Sequence, residues 1–388
     1  MRPFLFLLFL SMWLRASGQQ VLPPDTAVAR ALANSRNLRA AELTVTQQQQ
    51  LLRGAAELQN PQVTFEVTPY EPLLIGVQQN FSLPGVYRGR RALQSERIRG
   101  AQLQLRGAQY DLKRDVRLSY LQLQYFSERI RLLAVQDSIY GAIRESARRF
   151  FAAGQINKLE ELNAVTQADK VHNEWERARA DLAAELELFR FYTALRDTFV
   201  VAPLGAEVIS LGGDTAQGNV QQQLLAQQVA IAQRELALQR AEQGPQFYAG
   251  PLFPTTRDAE RPLGLQAGIT VPVWRRQNRS RMAAAQSGIE SAQALQALER
   301  ERLNARYRQA LASLARERRT LGYYHTTALG QAAAIIEVSR RLFAGGELNY
   351  IESLRNLIAA FDIQTGYLEA QRAYNEAVIE VNYLNGSL

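Results

Sequence analysis

From Val86 to Ala152 the chain runs 67 residues with four glycines and no proline, and Trp274 to Ala344 is again free of proline. At 1.5 Å per residue the first stretch would span about 100 Å as one helix. A compact single-core domain has no use for a helix of that length, so the chain is expected to build something elongated. Apolar residues recur along it at three- and four-residue steps, as in Leu112, Val116, Leu123, Phe126, Ile130 and Leu133. The second stretch repeats the pattern with Leu303, Tyr307, Ala310, Leu314 and Leu321, and runs such as Arg316-Glu317-Arg318-Arg319 fill the other faces. This is a coiled-coil-like seam rather than an all-round apolar core.

The two long stretches belong to a duplication. Asn60-Pro61-Gln62-Val63 matches Gly244-Pro245-Gln246-Phe247, Ser82-Leu83-Pro84 matches Thr270-Val271-Pro272, and Phe151-Ala152-Ala153-Gly154-Gln155-Ile156-Asn157 matches Phe343-Ala344-Gly345-Gly346-Glu347-Leu348-Asn349. The offsets grow from 184 to 188 to 192, each near half of the chain. Each half reads as helix, two strands, long helix, glycine turn, helix. Residues 19–198 form the first repeat, 199–218 a linker holding Pro203, Gly205 and Gly212-Gly213, and 219–388 the second repeat.

Before each long helix the period changes to two. In Gln62 to Thr68, Val63, Phe65 and Val67 alternate with polar residues; in Ile75 to Phe81 the apolar set is broken only by Gln79. Leu263 to Val271 alternates Leu263, Leu265, Ala267, Ile269 and Val271 with glycines, Gln266 and Thr270. Its partner, Gln246 to Leu252, is weaker, and Pro251 is expected to mark its end. Thr26 to Leu58 reads as one helix, and Ile156 to Leu195 and Leu348 to Leu384 as helices after the glycine turns.

Residues 1–18 carry a cationic start, an apolar run from Phe4 to Leu14 and a small-x-small Ala16-Ser17-Gly18 site, the pattern of a cleaved export signal. The run is short of the ~20 residues of a spanning helix. Cleavage would remove Arg2 and Arg15 and lower the net charge from +8 to +6. There is no cysteine, hence no disulfide, thiolate or lipid-anchored N-terminal cysteine. His172 and His325 are far apart and expected on helix surfaces. No P-loop, GxGxxG, HExxH or GxSxG occurs, and carboxylates are interleaved with arginines as on a solvated face, so neither an enzyme nor a bound cofactor or metal is expected. A nucleic-acid-binding scaffold would need its basic residues on one stripe; Glu299-Arg300-Glu301-Arg302 shows them mixed.

Four short strands, each with an apolar face, cannot make a stable free sheet. An exported chain can solve this by pooling strands from several copies into a closed barrel, apolar outside and polar within. Three copies would supply twelve strands, with the long helices stacked as a hollow cylinder. The expected fold is therefore mainly α with a small β part: a duplicated helix-strand-strand-helix-helix unit contributing to a trimeric 12-stranded barrel.

The duplicated order, with Asn60-Pro61, Phe81-Ser82-Leu83-Pro84 and Phe151 to Asn157, resembles the TolC-type outer-membrane efflux proteins across essentially the whole mature chain. Gln79 to Asn157 looks most like the branch that works with heavy-metal resistance pumps. The resemblance implies a homotrimeric channel in the outer membrane of a Gram-negative bacterium, its helical part in the periplasm. It would dock through a periplasmic adaptor protein to an inner-membrane pump, of the resistance-nodulation-division type, and pass metal cations or small toxic compounds. A type I channel for polypeptides is the alternative within that class. Many relatives are lipoproteins, which the missing cysteine forbids here.

By the same resemblance, Gly154, Gln155, Ile156 and Asn157, with Gly345, Gly346, Glu347, Leu348 and Asn349, are the turns that adaptor hairpins grip. Glu160 and Glu352 occupy the positions of an acidic ring at the tip; the other reading is that they complement helix N-termini. Pro84 and Pro272 mark the strand ends. Tyr70, Phe81, Tyr87, Phe247, Tyr248, Phe253 and Trp274 suit either a membrane-water boundary or plain strand propensity.

Overall fold

A computed structural model describes residues 21–67, 73–208, 219–254, 264–272, 275–345, 347–348 and 350–388. The export segment, the Pro69–Pro72 turn, the end of the 199–218 linker, most of the Phe253–Pro262 turn, and Trp274, Gly346 and Asn349 lie outside these residues.

In chain order the elements are β1 (Val21–Leu22), α1 (Pro24–Asn34), α2 (Arg36–Gly54), β2 (Gln62–Glu66), β3 (Leu74–Phe81), α3 (Pro84–Ala152), α4 (Lys158–Thr193) and β4 (Val200–Val201). There follow α5 (Val220–Ala241), β5 (Gln246–Pro254), β6 (Gly264–Thr270), α6 (Arg275–Tyr323), a π-helical turn (Tyr324–Ala328), α7 (Leu329–Ala344) and α8 (Tyr350–Leu384). The described residues divide into two compact units, each drawing on both halves of the chain: the first from the stretches 21–35, 110–208 and 306–388, the second from 36–109 and 219–305.

The helical unit is held by two clusters. In one, Val116, Tyr120 and Leu123 of α3 pack with Ala27, Val28 and Ala31 of α1 and with Phe189 of α4. In the other, Leu133 and Tyr140 of α3 meet Ala168, Val171 and Ala178 of α4 and Leu354 and Phe361 of α8. The small alanines let helix backbones come close while the large side chains interdigitate. A two-stranded parallel ribbon, β1 with β4, sits on the first cluster. Its anchor is the buried Tyr120 hydroxyl, which donates to the Leu22 carbonyl and accepts from the Ala202 N–H at 2.9 Å. Beyond it, the irregular residues 202–208 are tied down by side-chain amides. Gln371 Nε2 donates to the Leu204 carbonyl at 3.0 Å, Asn375 Nδ2 to the Gly205 carbonyl at 2.7 Å, and Asn382 Nδ2 to the Val208 carbonyl at 3.0 Å.

The second unit joins α2, α5 and the starts of α3 and α6 to the four-stranded antiparallel sheet β2-β3-β5-β6. Gln94 Nε2 donates to the Gln48 carbonyl at 2.9 Å, linking α3 to α2. Glu96, 8% exposed, accepts from Gln227 Nε2 of α5 at 2.8 Å and from Arg99 Nη1 at 3.1 Å. The Gln227 hydrogen bond, with the Arg99 and Arg234 charges behind it, outweighs burial and holds the Glu96 carboxyl below its ordinary pKa.

Several element readings are corrected. The expected single helix from Thr26 to Leu58 is broken at Ser35, whose ψ of 120° is extended, so that α1 and α2 are separate. The long helix starts at Pro84 rather than Val86, because proline has no N–H to lose in a first turn. Its counterpart is interrupted by the π turn. Pro251 does not end its strand: β5 continues to Pro254 because residues on both sides of the proline still pair with β3 and β6. The linker begins with a strand, Val200–Val201.

Candidate functional site

The sheet register sorts side chains onto two unlike faces. Val63 opposes Val77 and Phe65 opposes Ile75; Ile75 opposes Phe253 and Phe81 opposes Phe247; Phe247 opposes Ile269 and Pro251 opposes Leu265. Directly opposed residues share a face, so one face is apolar from β2 to β6. It is also open, with Phe65 69% and Leu265 83% exposed. Fully burying each such side chain contributes about 1.5–3 kcal/mol, so water is a poor solvent for this surface. The expected exception, Gln79, does lie on this face, and its Nε2 donates to the Gln59 carbonyl at 2.7 Å. Among the described residues β2 pairs only with β3 and β6 only with β5, leaving both sheet edges without a neighbour.

The opposite face carries Gln62, Thr64, Glu66, Gln78, Asn80, Gln246, Gln266 and Thr270 with glycines between them, and is apolar only at its end away from the helices, at Leu74, Leu252 and Pro254. Tyr248 is on this side too, between Asn80 of β3 and Gly268 of β6, which rules out an interfacial role on the apolar face for it. Phe81, Phe247 and Phe253 are on the apolar face near the strand ends. Tyr87 is a junction residue whose hydroxyl accepts from the Ser82 N–H at 2.9 Å. Tyr70 and Trp274 lie outside the described residues. Pro84 opens α3, and Pro272 is exposed just beyond β6.

The two glycine turns belong to the helical unit. At the end of α3, Gly154 has φ +71°, Gln155 N–H donates to the Phe150 carbonyl at 2.8 Å and Gly154 N–H to the Phe151 carbonyl at 3.0 Å. These bonds make a Schellman cap, in which a left-handed residue closes the helix and glycine pays no Cβ penalty. At the end of α7, Glu347 N–H donates to the Leu342 carbonyl at 3.0 Å, the same closing bond 192 residues later. Gly154, Gln155, Asn157, Gly345 and Glu347 are exposed, with Ile156 and Leu348 half-buried.

Asn157 caps α4. Its Oδ1 accepts from the Glu160 N–H at 3.0 Å, while Glu160 Oε2 accepts from the Asn157 N–H at 2.8 Å. The Glu160 carboxylate is therefore engaged with the helix start, a capping box. Lys158 pairs with Glu161 and sits 4.9 Å over the Phe151 ring. Glu352 is exposed in the first turn of α8. Leu159 and Leu162 are 67% and 48% exposed beside the first turn, an apolar rim the sequence reading passed over. His172 is on the surface with Nδ1 3.2 Å from Asp137, and His325 is exposed in the π turn. Among the described residues no group of His, Asp and Glu is arranged to hold a metal ion, and no helix is long and apolar enough to cross a membrane.

Neither known family profiles nor curated protein sequences match the chain. Solved structures do. The Campylobacter jejuni CmeC outer membrane channel superposes with a TM-score of 0.81 at 12% identity, covering 94% of this chain and 85% of that one. The fold is that of the TolC-type outer-membrane channels. CusC, whose structures concern folding and transmembrane channel formation, gives 0.80 at 14% identity over 94% of this chain and 92% of its own. The open state of the Neisseria gonorrhoeae MtrE outer membrane channel gives 0.76 at 12%, over 94% and 89%. At these identities the likeness concerns the fold alone.

Proposed function

We propose that the chain is one third of an outer-membrane channel, a passive duct for substrate delivered from the periplasm. The observation that carries this reading is the four-stranded sheet with an exposed apolar face and two open edges. Such edges invite pairing with further strands, and an apolar outside with a polar inside suits a closed barrel in lipid. Three copies give twelve strands. The glycine turns would receive a periplasmic adaptor, which couples the duct to an inner-membrane pump, and Glu160 and Glu352 would form the acidic ring just beyond those turns. Metal cations or small toxic compounds are the cargo this reading favours. No reaction is assigned to the chain.

Membrane fractionation followed by sizing of the detergent-extracted protein tests the reading. A trimer in the outer membrane is the expected result, and deletion with metal and drug challenge would then identify the cargo. A soluble monomer or dimer would overturn it.

A further inference from the structure

Tyr248 is the only aromatic side chain on the polar face among the described residues of the sheet, and it lies down rather than standing up. Its cross-strand partner is Gly268, and a Cβ built at Gly268 would overlap the Tyr248 ring and hydroxyl. The ring thus occupies the space that any other residue at 268 would fill, and it is half-buried as a result. The obstruction is the far end of a side chain, not backbone, so a larger residue at 268 would displace the ring and leave the strand pairing intact. By contrast, a Cβ at Gly250 would run into the Val77 carbonyl, so that position is fixed by the backbone.

We propose that Tyr248 and Gly268 together set the aperture of the barrel near its helix-side end, and so the size of solute it passes. The inference rests on the channel reading above. Neighbouring strands ~4.8 Å apart and tilted ~40° close a twelve-stranded barrel at a radius of ~12 Å. Lining side chains leave a lumen of roughly 8 Å radius, about 200 Å² in section. Three tyrosines lying along the wall take a smaller share of that area, which alanine would give back. Standing upright, at roughly 30 Å² each, they would obstruct nearly half of it. The row Asn80–Tyr248–Gly268 lies one step from the Gln246–Thr270 pair at the end of the sheet that leads into the helices, so a solute reaching Thr270 from outside must pass it.

The chain has no cysteine, so Thr270→Cys supplies one unique label site below the ring. Intact cells carrying this variant are treated with a small membrane-impermeant maleimide and with one bearing a polyethylene glycol chain too large for general porins. Adding Gly268→Val should slow the bulky reagent about tenfold while the small one keeps its rate. Tyr248→Ala should speed the bulky reagent, and the Gly268→Val, Tyr248→Ala pair should restore at least the parent rate. Unchanged bulky-reagent rates in Gly268→Val or in Tyr248→Ala would overturn the proposal. If Gly268→Val fails to reach the membrane, the Tyr248→Ala arm decides alone. A parent that neither reagent labels would instead refute the channel reading itself.

Discussion

Asn157 and Glu160 hold each other by two reciprocal hydrogen bonds, 3.0 Å from the Glu160 N–H to the Asn157 side chain and 2.8 Å from the Asn157 N–H to the Glu160 carboxylate. The carboxylate therefore has a structural task before any electrostatic one, and the two can be separated. Glutamine serves the same capping box. Glu160→Gln should leave the thermal midpoint unchanged and lower the cation preference of reconstituted channels, read as a reversal potential in a salt gradient. Asn157→Ala should cost about 1 kcal/mol by losing the cap. A Glu160→Gln channel with unaltered selectivity would leave the cap as the whole role of Glu160.

Gln62 and Val63 are adjacent in β2 but stand on opposite faces, opposite Gln78 and Val77. An arginine at a lipid-facing position near the bilayer midplane costs about 2–4 kcal/mol, whereas a lumen position has water for it. Val63→Arg should sharply reduce the outer-membrane oligomer seen by semi-native electrophoresis, and Gln62→Arg should leave it intact. Equal loss in both would mean that the faces are not divided between lipid and water.

Glu96 couples stability to pH. Its folded pKa is depressed from 4.5, chiefly by the Gln227 hydrogen bond. A depressed carboxylate contributes stability that is complete above the unfolded pKa and is lost as pH falls through the folded one. The urea midpoint of the detergent-solubilised protein should drop as the pH goes below about 4.5. Glu96→Gln should lower it at pH 7 and flatten that acid limb. Parallel acid limbs in the two proteins would show that Glu96 does not carry the effect.

What could be read in advance follows from how local the cause is. Leu263 to Val271 declares a strand because each residue alternates, and Gly154 declares a reversal because a left-handed cap needs glycine. The spacing Asn157-x-x-Glu160 carries the capping box in plain view. Tyr248 was readable as well: its neighbours Phe247 and Ala249 are apolar, so parity alone puts it on the other face. By contrast β1 and β4 are two residues each, and their pairing depends on Tyr120, about 80 to 100 residues away in the chain. The π turn at Tyr324–Ala328 has no proline or glycine inside it to announce it. Ser35 breaks its helix without proline or glycine on either side, and Pro251 fails to break its strand because the residues flanking it still pair with β6.

The amide strap over residues 204–208 yields the last expectation. Asn375 is 1% exposed and serves both sides of one peptide segment, donating to the Gly205 carbonyl at 2.7 Å and accepting from the Glu207 N–H at 2.9 Å. Leucine is close in size but can do neither, and a polar group left without a partner costs about 1–3 kcal/mol where water cannot reach it. Gly205 is exposed and Glu207 half-buried, so water regains part of the loss and Asn375→Leu should destabilise the protein by about 1–3 kcal/mol. Because Gln371 and Asn382 still hold the segment at Leu204 and Val208, the loss should be local before it is global. Limited proteolysis should cut within residues 202–208 in Asn375→Leu under conditions that leave the parent whole, with the long helices still protected. A variant as resistant as the parent would mean that the strap is held by its flanking amides alone.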